Sequence, residues 1–331
     1  MRSVNAIPRL SIGLPVFNGE DYLDQSLDAL LGQTYTDFEL IISDNASTDS
    51  TADICRRYEK QDSRVRYIRQ LRNIGSAPNH NFVFRQSRGE LFKWAAADDL
   101  YARDLLQHCI EALDQHPDAV LAHSWTAAID TTGAVTQALE YPLATDVPSA
   151  PARFRSMLFG GDLAFGAICA DDMYGVIRSR VLHAVAPHGS YYHADRAIMA
   201  EISLHGPFYQ VPKWLYFRRD HSDRPQYACP TARMWCANLD PRRASRLRHP
   251  TVRLLAEYVY GYGTAISRAP LSLSERQACY RLLGQWAAAR CWSACSRLRG
   301  RRAPGAVSHM DVAHSGLSVE AVVAGRESSS L

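Results

Sequence analysis

Two acidic clusters, each at the end of an apolar run, are the residues of this chain best suited to chemistry. The first is Asp44-Asn45-Ala46-Ser47-Thr48-Asp49, directly after Phe38-Glu39-Leu40-Ile41-Ile42-Ser43. The second is Asp98-Asp99, directly after Leu91-Phe92-Lys93-Trp94-Ala95-Ala96-Ala97. In an open α/β sheet, ligands bind outside the carboxyl ends of the strands. Carboxylates at two such ends suit a ligand with donors, such as a base N–H and ribose hydroxyls, or a hard divalent cation. A nucleoside diphosphate held with a metal offers all three.

Each cluster also has a plainer reading. Ser, Thr, Asn and Asp make turns and helix N-caps, so Ser47, Thr48 or Asp49 could only start the next helix. Asp44 at the strand end is harder to dismiss, because a carboxylate there can accept the imide N–H of a pyrimidine. Asp98-Asp99 could cap a helix, with Asp99 favourable near its dipole. One carboxylate would suffice for that, and two adjacent ones repel unless a cation such as Mg²⁺ or Mn²⁺ relieves them.

The elements that must position these residues follow from periodicity. Leu10–Val16 is a short apolar run, followed by Leu23, Leu27, Leu30 and Leu31 on one helical face. Then come the 38–43 run, a helix from about Thr48 to Lys60, a strand at 64–69, a helix over 78–86 and the 91–97 run. A helix over 101–116 stops at Pro117, and 119–129 returns as a strand turned by Thr132-Gly133. This order predicts an α/β fold with a mainly parallel sheet covered by helices on both faces. Residues 141–152 read as a loop. Beyond them the pattern predicts a short helix at 154–159, a strand at 173–177, a helix at 196–205 and a strand at 208–217, where Pro212 suggests an edge or a bulge. Helices over 254–266 and 275–298 make a C-terminal extension, and 300–331 reads as a disordered tail.

Composition narrows the classes. The chain has 331 residues, enough for one large or two fused domains, and its net charge of +3 is unevenly spread. Residues 240–302 hold 13 Arg against 3 acidic residues, a balance of +10. Such a segment could meet an anionic membrane, with Trp286 and Trp292 among Arg290, Arg297 and Arg301 as an interfacial helix; the alternative is a packed helix with a solvated basic face. No nucleic-acid module accompanies the charge, so nucleic acid is not an expected partner. The eight cysteines form no C-x-x-C pair and read as reduced, mostly buried thiols. Residues 1–9 lack a signal-peptide apolar core, and no apolar run reaches the roughly 20 residues of a membrane span. The expected location is cytoplasmic, with peripheral contact at the inner membrane face.

The order P-V-F-N-G-E at 15–20, Q-T-Y-T-D-F-E-L-I-I-S-D-N-A-S-T-D at 33–49, R-N-I-G at 72–75, N-H-N at 79–81, G-E-L-F-K-W at 89–94 and D-D at 98–99 resembles the family 2 inverting glycosyltransferases. The resemblance spans about residues 9–225. It implies a nucleotide-diphospho-sugar transferase fold of the glycosyltransferase-A type, Rossmann-like, with 9–130 holding the nucleotide-sugar and 150–225 the acceptor; 240–299 is then a basic helical extension. By resemblance, Pro15 and Phe17 line the nucleotide pocket, Asp44 binds the base, and Arg72 and Asn73 approach the nucleotide. Asp98 meets the ribose or the metal, and Asp99 holds a divalent Mn or Mg ion on the diphosphate. Many members carry another acidic residue just before the Asp pair; Ala96 and Ala97 stand there.

Asp195, in His193-Ala194-Asp195-Arg196, resembles the family's catalytic base, although Ala194 replaces the usual Glu. As plain structure it is a carboxylate at a helix start. His221, after Tyr216-Phe217-Arg218-Arg219-Asp220, resembles a His that reaches the metal or diphosphate, with a nearby Arg offsetting leaving-group charge. The implied activity is inverting transfer of a sugar to an acceptor hydroxyl on a glycolipid, polysaccharide or other glycoconjugate. A non-catalytic nucleotide- or glycan-binding relative is the alternative, with Ala96, Ala97 and Ala194 as its support. A sugar nucleotidyltransferase would want a Gly-rich basic loop after the first strand, and a dehydrogenase a G-x-G-x-x-G; neither is present.

Overall fold

The computed structural model describes residues 7–139, 144–160 and 171–298. One sheet runs through both halves of the chain. Its strands are β1 (Leu10–Val16), β2 (Phe38–Asp44), β3 (Val65–Arg69), β4 (Leu91–Trp94), β5 (Leu100–Tyr101), β6 (Leu121–Ile129), β7 (Val135–Leu139), β8 (Val176–Arg178) and β9 (Phe208–Arg219). The order is β3-β2-β1-β4-β8-β6-β9-β5, with β7 also on β6. The long pairings β1–β2, β2–β3, β1–β4 and β6–β9 are parallel, while β8, β5 and β7 join antiparallel. β2 is buried along its whole length, which is why it reads as an unbroken apolar run rather than an alternating one.

Helices cover both faces. On one lie α1 (Leu23–Leu31), α2 (Thr51–Gln61) and α4 (Leu105–Gln115), packed through Leu27, Cys55 and Leu106. On the other lie α3 (Ser76–Arg85), α5 (Ala150–Phe159), α6 (Ser179–Ala184) and α7 (Ala194–His205). The short α8 (Pro225–Ala228) and α9 (Ala232–Leu239) follow β9, and α10 (Leu254–Arg268) and α11 (Leu273–Leu298) close the described chain. α10 and α11 add Tyr262, Ile266, Cys279 and Trp286 to the second core. Gly13 permits the close packing of α3 on β1, since a Cβ there would lie 2.6 Å from Val83.

Several sequence expectations need correction. Tyr101 lies in β5, not in a helix, and α4 starts four residues later behind Asp104. Asp98-Asp99 therefore caps no helix. α5 begins at Ala150, inside the expected loop, where Ser149 caps it by accepting from the Ala152 N–H. The 173–177 segment is a 3-10 turn followed by β8. Pro212 does mark a bulge, because the β6–β9 register slips between Ser124/Trp125; β5 pairs with β9 only at Tyr216 and Phe217, so the stretch around Pro212 has β6 alone beside it. The predicted tail at 300–331 lies outside the described residues. Cys55, Cys109, Cys229, Cys236, Cys279 and Cys291 are free thiols, and Cys55, Cys109, Cys236 and Cys279 are buried. No helix among the described residues is long and apolar enough to cross a membrane.

Candidate active site

The carboxyl ends of β1, β2 and β3 carry three loops stitched to one another. The Asn18 N–H donates to Ser47 Oγ (2.9 Å), the Gly19 N–H to Thr51 Oγ1 (2.8 Å) and the Glu20 N–H to Asp49 (3.1 Å). In return the Thr48 N–H donates to Asn18 Oδ1 (2.9 Å) and the Ser50 N–H to Glu20 (2.9 Å). Asn45 Nδ2 then donates to Asn73 Oδ1 (3.0 Å), and Asn45 Oδ1 accepts from the Ile74 N–H (2.8 Å). The motif side chains 18–20 and 45–51 thus satisfy loop backbone. Asn18 (φ 50°) and Ala46 (φ 61°) sit in the left-handed region, a strain that this cross-bracing holds. Phe17 is left 46% exposed on the rim.

Beneath the rim lies a cleft of about 470 Å³. Pro15 and Phe17 line one wall, and Asp98, His221, Asp171, Arg218 and Arg224 are also on its surface. Asp195, His80, His188 and Trp235 line it as well. The fold thus brings Pro15, Phe17, Asp98, His221 and Asp195 to one cavity. Asn73 lines a small side pocket of about 60 Å³ that shares Pro15, Phe17 and Ser76 with the cleft. Arg72 is exposed on the rim and lines neither.

Asp44 and Asp99 do not face the cleft. Asp44 is fully buried: one oxygen accepts from the Ser47 N–H (2.8 Å), the other from Tyr67 Oη (2.8 Å) and Arg69 (3.0 Å). Asp99 is also fully buried and accepts from Tyr216 Oη and from the Arg219 N–H (2.8 Å). Asp98 is the half-buried member of the pair and lines the cleft. Its Oδ2 lies 2.9 Å from His221 Nε2. Burial pushes the Asp99 carboxyl up to about 6, reinforced by the charge of Asp98. Burial works on Asp98 in the same direction, but the His221 contact and the Arg224 charge outweigh it, and Asp98 falls below the ordinary carboxylate value.

Asp98 and His221 fit a divalent cation. They offer a carboxylate oxygen and an imidazole nitrogen side by side on the cleft wall, and His221 Nδ1 is buried without a hydrogen bond. Among the described residues no three His, Cys, Asp or Glu side chains cluster for a metal, so the remaining donors would be ligand oxygens and water. That is a usual pattern for Mg²⁺, with few protein carboxylates and substrate phosphates.

Three cationic and acidic groups of the cleft escape the sequence reading. Arg218 pairs with Asp171 at 3.1 Å. Burial pushes the Asp171 carboxyl up to about 7, against the opposing charges of Arg218 and Arg224. Arg224 is held charged by Asp99 and Asp98 although burial opposes it. Arg219, by contrast, is fully buried, spending its guanidinium on the Asp98, Asp130 and Thr131 carbonyls and on Gln25. Arg218, not Arg219, is therefore the one of that adjacent pair on the cleft. Its alternation with Arg219 along β9 is the signal that could have found it.

A parallel sheet whose strand ends carry a polar cleft, with two carboxylates and a His–Asp pair on its walls, defines a nucleotide-diphospho-sugar transferase fold of the glycosyltransferase-A type. Residues 11–174 match the model of "Glycosyl transferase family 2". The putative teichuronic acid biosynthesis glycosyltransferase TuaG of Bacillus subtilis is 32% identical over 104 residues, covering 31% of this chain and 41% of that protein. An uncharacterized glycosyltransferase of Haemophilus influenzae is 32% identical over 127 residues, 38% of this chain and 50% of that protein. The chain thus spans half or less of the length of these relatives. A solved structure of S. aureus TarS 1-349 in complex with UDP-GlcNAc shares the fold, with a TM-score of 0.51, 15% identity, and coverage of 88% of this chain and 92% of that one. Residues 11–174 thus belong to family 2 of the glycosyltransferases.

Proposed function

We propose that this protein transfers a sugar, with inversion, from a nucleotide-diphospho-sugar to an acceptor hydroxyl of a glycolipid, polysaccharide or other glycoconjugate. The observation that carries the reading is the shared cleft, with the Asp98–His221 pair and Asp195 both on its surface. The nucleotide lies against Pro15 and Phe17, with Asn73 in the adjoining side pocket. Asp98 and His221 would hold a Mn or Mg ion, and that ion would supply charge neutralisation at the departing phosphate. Arg218 and Arg224 add fixed positive charge on the same wall.

Asp195 is the general base. It stands in the first turn of α7 and has one recorded hydrogen bond, from the Arg196 N–H at 2.9 Å. A carboxylate keeps acceptor capacity beyond one such bond. Asp195 takes the acceptor's hydroxyl proton as that oxygen bonds to the anomeric carbon and the bond to the diphosphate breaks. Asp44 and Asp99 act from behind the wall. Asp44 locks the second rim loop through Ser47 and Arg69. Asp99 ties the loop after β4 to β9 and so sets Asp98 against His221. The metal-ligand role moves from Asp99 to Asp98, because a carboxylate with no exposed surface and both oxygens engaged cannot reach a cation in the cleft.

A panel of UDP-, GDP-, CDP- and dTDP-sugars, with and without Mn²⁺, tests this by released nucleoside diphosphate and by NMR of the product's anomeric configuration. Release with an inverted product is the expected result. Nucleotide binding without turnover of any donor would instead mark a non-catalytic relative, and a retained configuration would exclude the single displacement. The solved relative named above is bound to UDP-GlcNAc, which makes UDP-sugars the first donors to try.

A further inference from the structure

The loop between α9 and α10 carries an exposed basic and apolar tip. Two of its arginines are used internally: Arg242 pairs with Asp240 (2.7 Å) and Arg243 with Glu257 (2.7 Å). Arg246 and Arg248 are exposed, and neither has an ion pair among the described residues. Between them Leu247 is 95% exposed, and Val252 beyond them is 85% exposed beside the exposed Arg253.

A second exposed pair abuts this loop. Gly75, at φ 93°, lies so close to the backbone of residues 239–241 that a Cβ there would sit 2.5 Å from the Leu239 carbonyl oxygen. The rim loop that ends at Gly75 carries the fully exposed Leu71 and the exposed Arg72. Asn238 and Leu239, at the root of the first loop, line the cleft. The two loops therefore meet beside the cleft mouth. Together they expose Leu71, Leu247 and Val252 among arginines, while the acidic side chains of the 240–257 segment, Asp240 and Glu257, are already paired.

A single exposed leucine needs no explanation. Three apolar side chains on two abutting loops, among unpaired guanidinium groups, are the pattern of an interfacial anchor: apolar tips enter the headgroup boundary and arginines meet anionic lipid. We infer that this surface docks the protein on an anionic membrane, with the cleft mouth beside the lipid. The site differs from the one expected of the last helix, where Trp286 is buried in the core and Trp292 is 75% exposed; the inference here rests on the 240–253 loop. The inference does not need the glycosyl-transfer reading, since docking is measured without turnover.

The full chain is sedimented with vesicles of phosphatidylcholine alone or with 30% phosphatidylglycerol (roughly the anionic content that generates the surface potential) at low and high salt. Binding is expected only to the anionic vesicles, with release by salt. Each arginine near such a surface strengthens partition about fivefold, so Arg246→Ser with Arg248→Ser should weaken it about 30-fold. Leu247→Ser with Val252→Ser should weaken it about tenfold through lost insertion. All four side chains are exposed and none makes a hydrogen bond or ion pair among the described residues, so the fold, checked by thermal melting, and nucleoside diphosphate release in solution should stay as in the wild type. Failure to bind anionic vesicles at low salt overturns the inference, whatever the donor assay gives. Binding that survives both double substitutions overturns this surface as its site, and loss in the arginine pair alone overturns insertion of the apolar tips.

Discussion

Replacing Asp195 with Asn separates chemistry from folding more cleanly than any other change in the cleft. The amide keeps the shape of the side chain and its acceptor oxygen for the Arg196 N–H at 2.9 Å. What it loses structurally is a charge in the first turn of α7, an interaction of about 0.3–1 kcal/mol. Loss of a general base costs about 10²–10⁴ in rate, or about 3–5 kcal/mol of activation free energy. The catalytic effect should therefore exceed the stability effect severalfold. Asp195 is remote in sequence from Pro15, Phe17 and Asp98, and among the described residues no hydrogen bond or ion pair links it to them, so nucleoside diphosphate affinity by calorimetry should stay near the wild-type value. Transfer measured at saturating donor should fall by the full factor, with the melting temperature almost unchanged. Wild-type transfer by Asp195→Asn would remove the base from this position. A rate loss matched by an equal loss of nucleotide affinity would show that the residue serves the donor instead.

Further outcomes follow from the same geometry. His221→Ala should weaken nucleoside diphosphate binding by at least about tenfold when Mn²⁺ is present and little when it is absent; an equal loss in both conditions, by calorimetry, would refute the cation role. Asp44→Asn leaves Arg69, Tyr67 and the Ser47 N–H around a neutral group, and should cost about 1–3 kcal/mol of stability; an unchanged denaturation midpoint with lost nucleotide affinity would mean that Asp44 touches the base after all. Lys93 is fully buried against the Tyr174 carbonyl, and burial pushes its ammonium down to about 8 from an ordinary 10.5. The unfolded chain then holds more protons between those values, so this group makes stability rise with pH across that window, by up to about 3 kcal/mol. Urea midpoints at pH 8 and pH 10 should converge between wild type and Lys93→Met, and parallel pH profiles would refute the assignment.

β1, β2 and β4 were legible because they are buried almost along their whole length and so read as largely apolar runs. β5 was not, since two residues carry no period, and Tyr101 also fits the helical pattern that follows. The 220–239 segment was missed for a related reason. Its helices α8 and α9 are short and largely exposed, with Cys236 and Leu239 their only buried residues, so no apolar stripe announces them, yet they bring Trp235 and Leu239 to the cleft, and Arg224 stands directly before α8. Sequence could place Asp98 and Asp99 at a strand end but could not say which one faces outward. In the structure Asp98 lies in the bend after β4 and Asp99 directly before β5. Asp99 is held inward by the Arg219 N–H of β9 and by Tyr216 Oη, and Asp98 is left on the cleft.

That choice has an electrostatic consequence for the whole site. Two neighbouring carboxylates in the largely buried connection between β4 and β5 cannot both keep full charge without compensation. The fold resolves the conflict asymmetrically. Asp99 is turned inward, where Tyr216 Oη and the Arg219 N–H hold it while burial drives its carboxyl up. Asp98 is turned toward His221 and Arg224, which keep it ionised. The outward member thus presents negative charge at the one place in the cleft where a cation and a diphosphate would meet. In the proposed site, the absence of carboxylates at Ala96 and Ala97 would then be less costly than the sequence suggests, because one ionised oxygen and one imidazole nitrogen would supply the protein's share, and further anionic side chains would repel the diphosphate completing it.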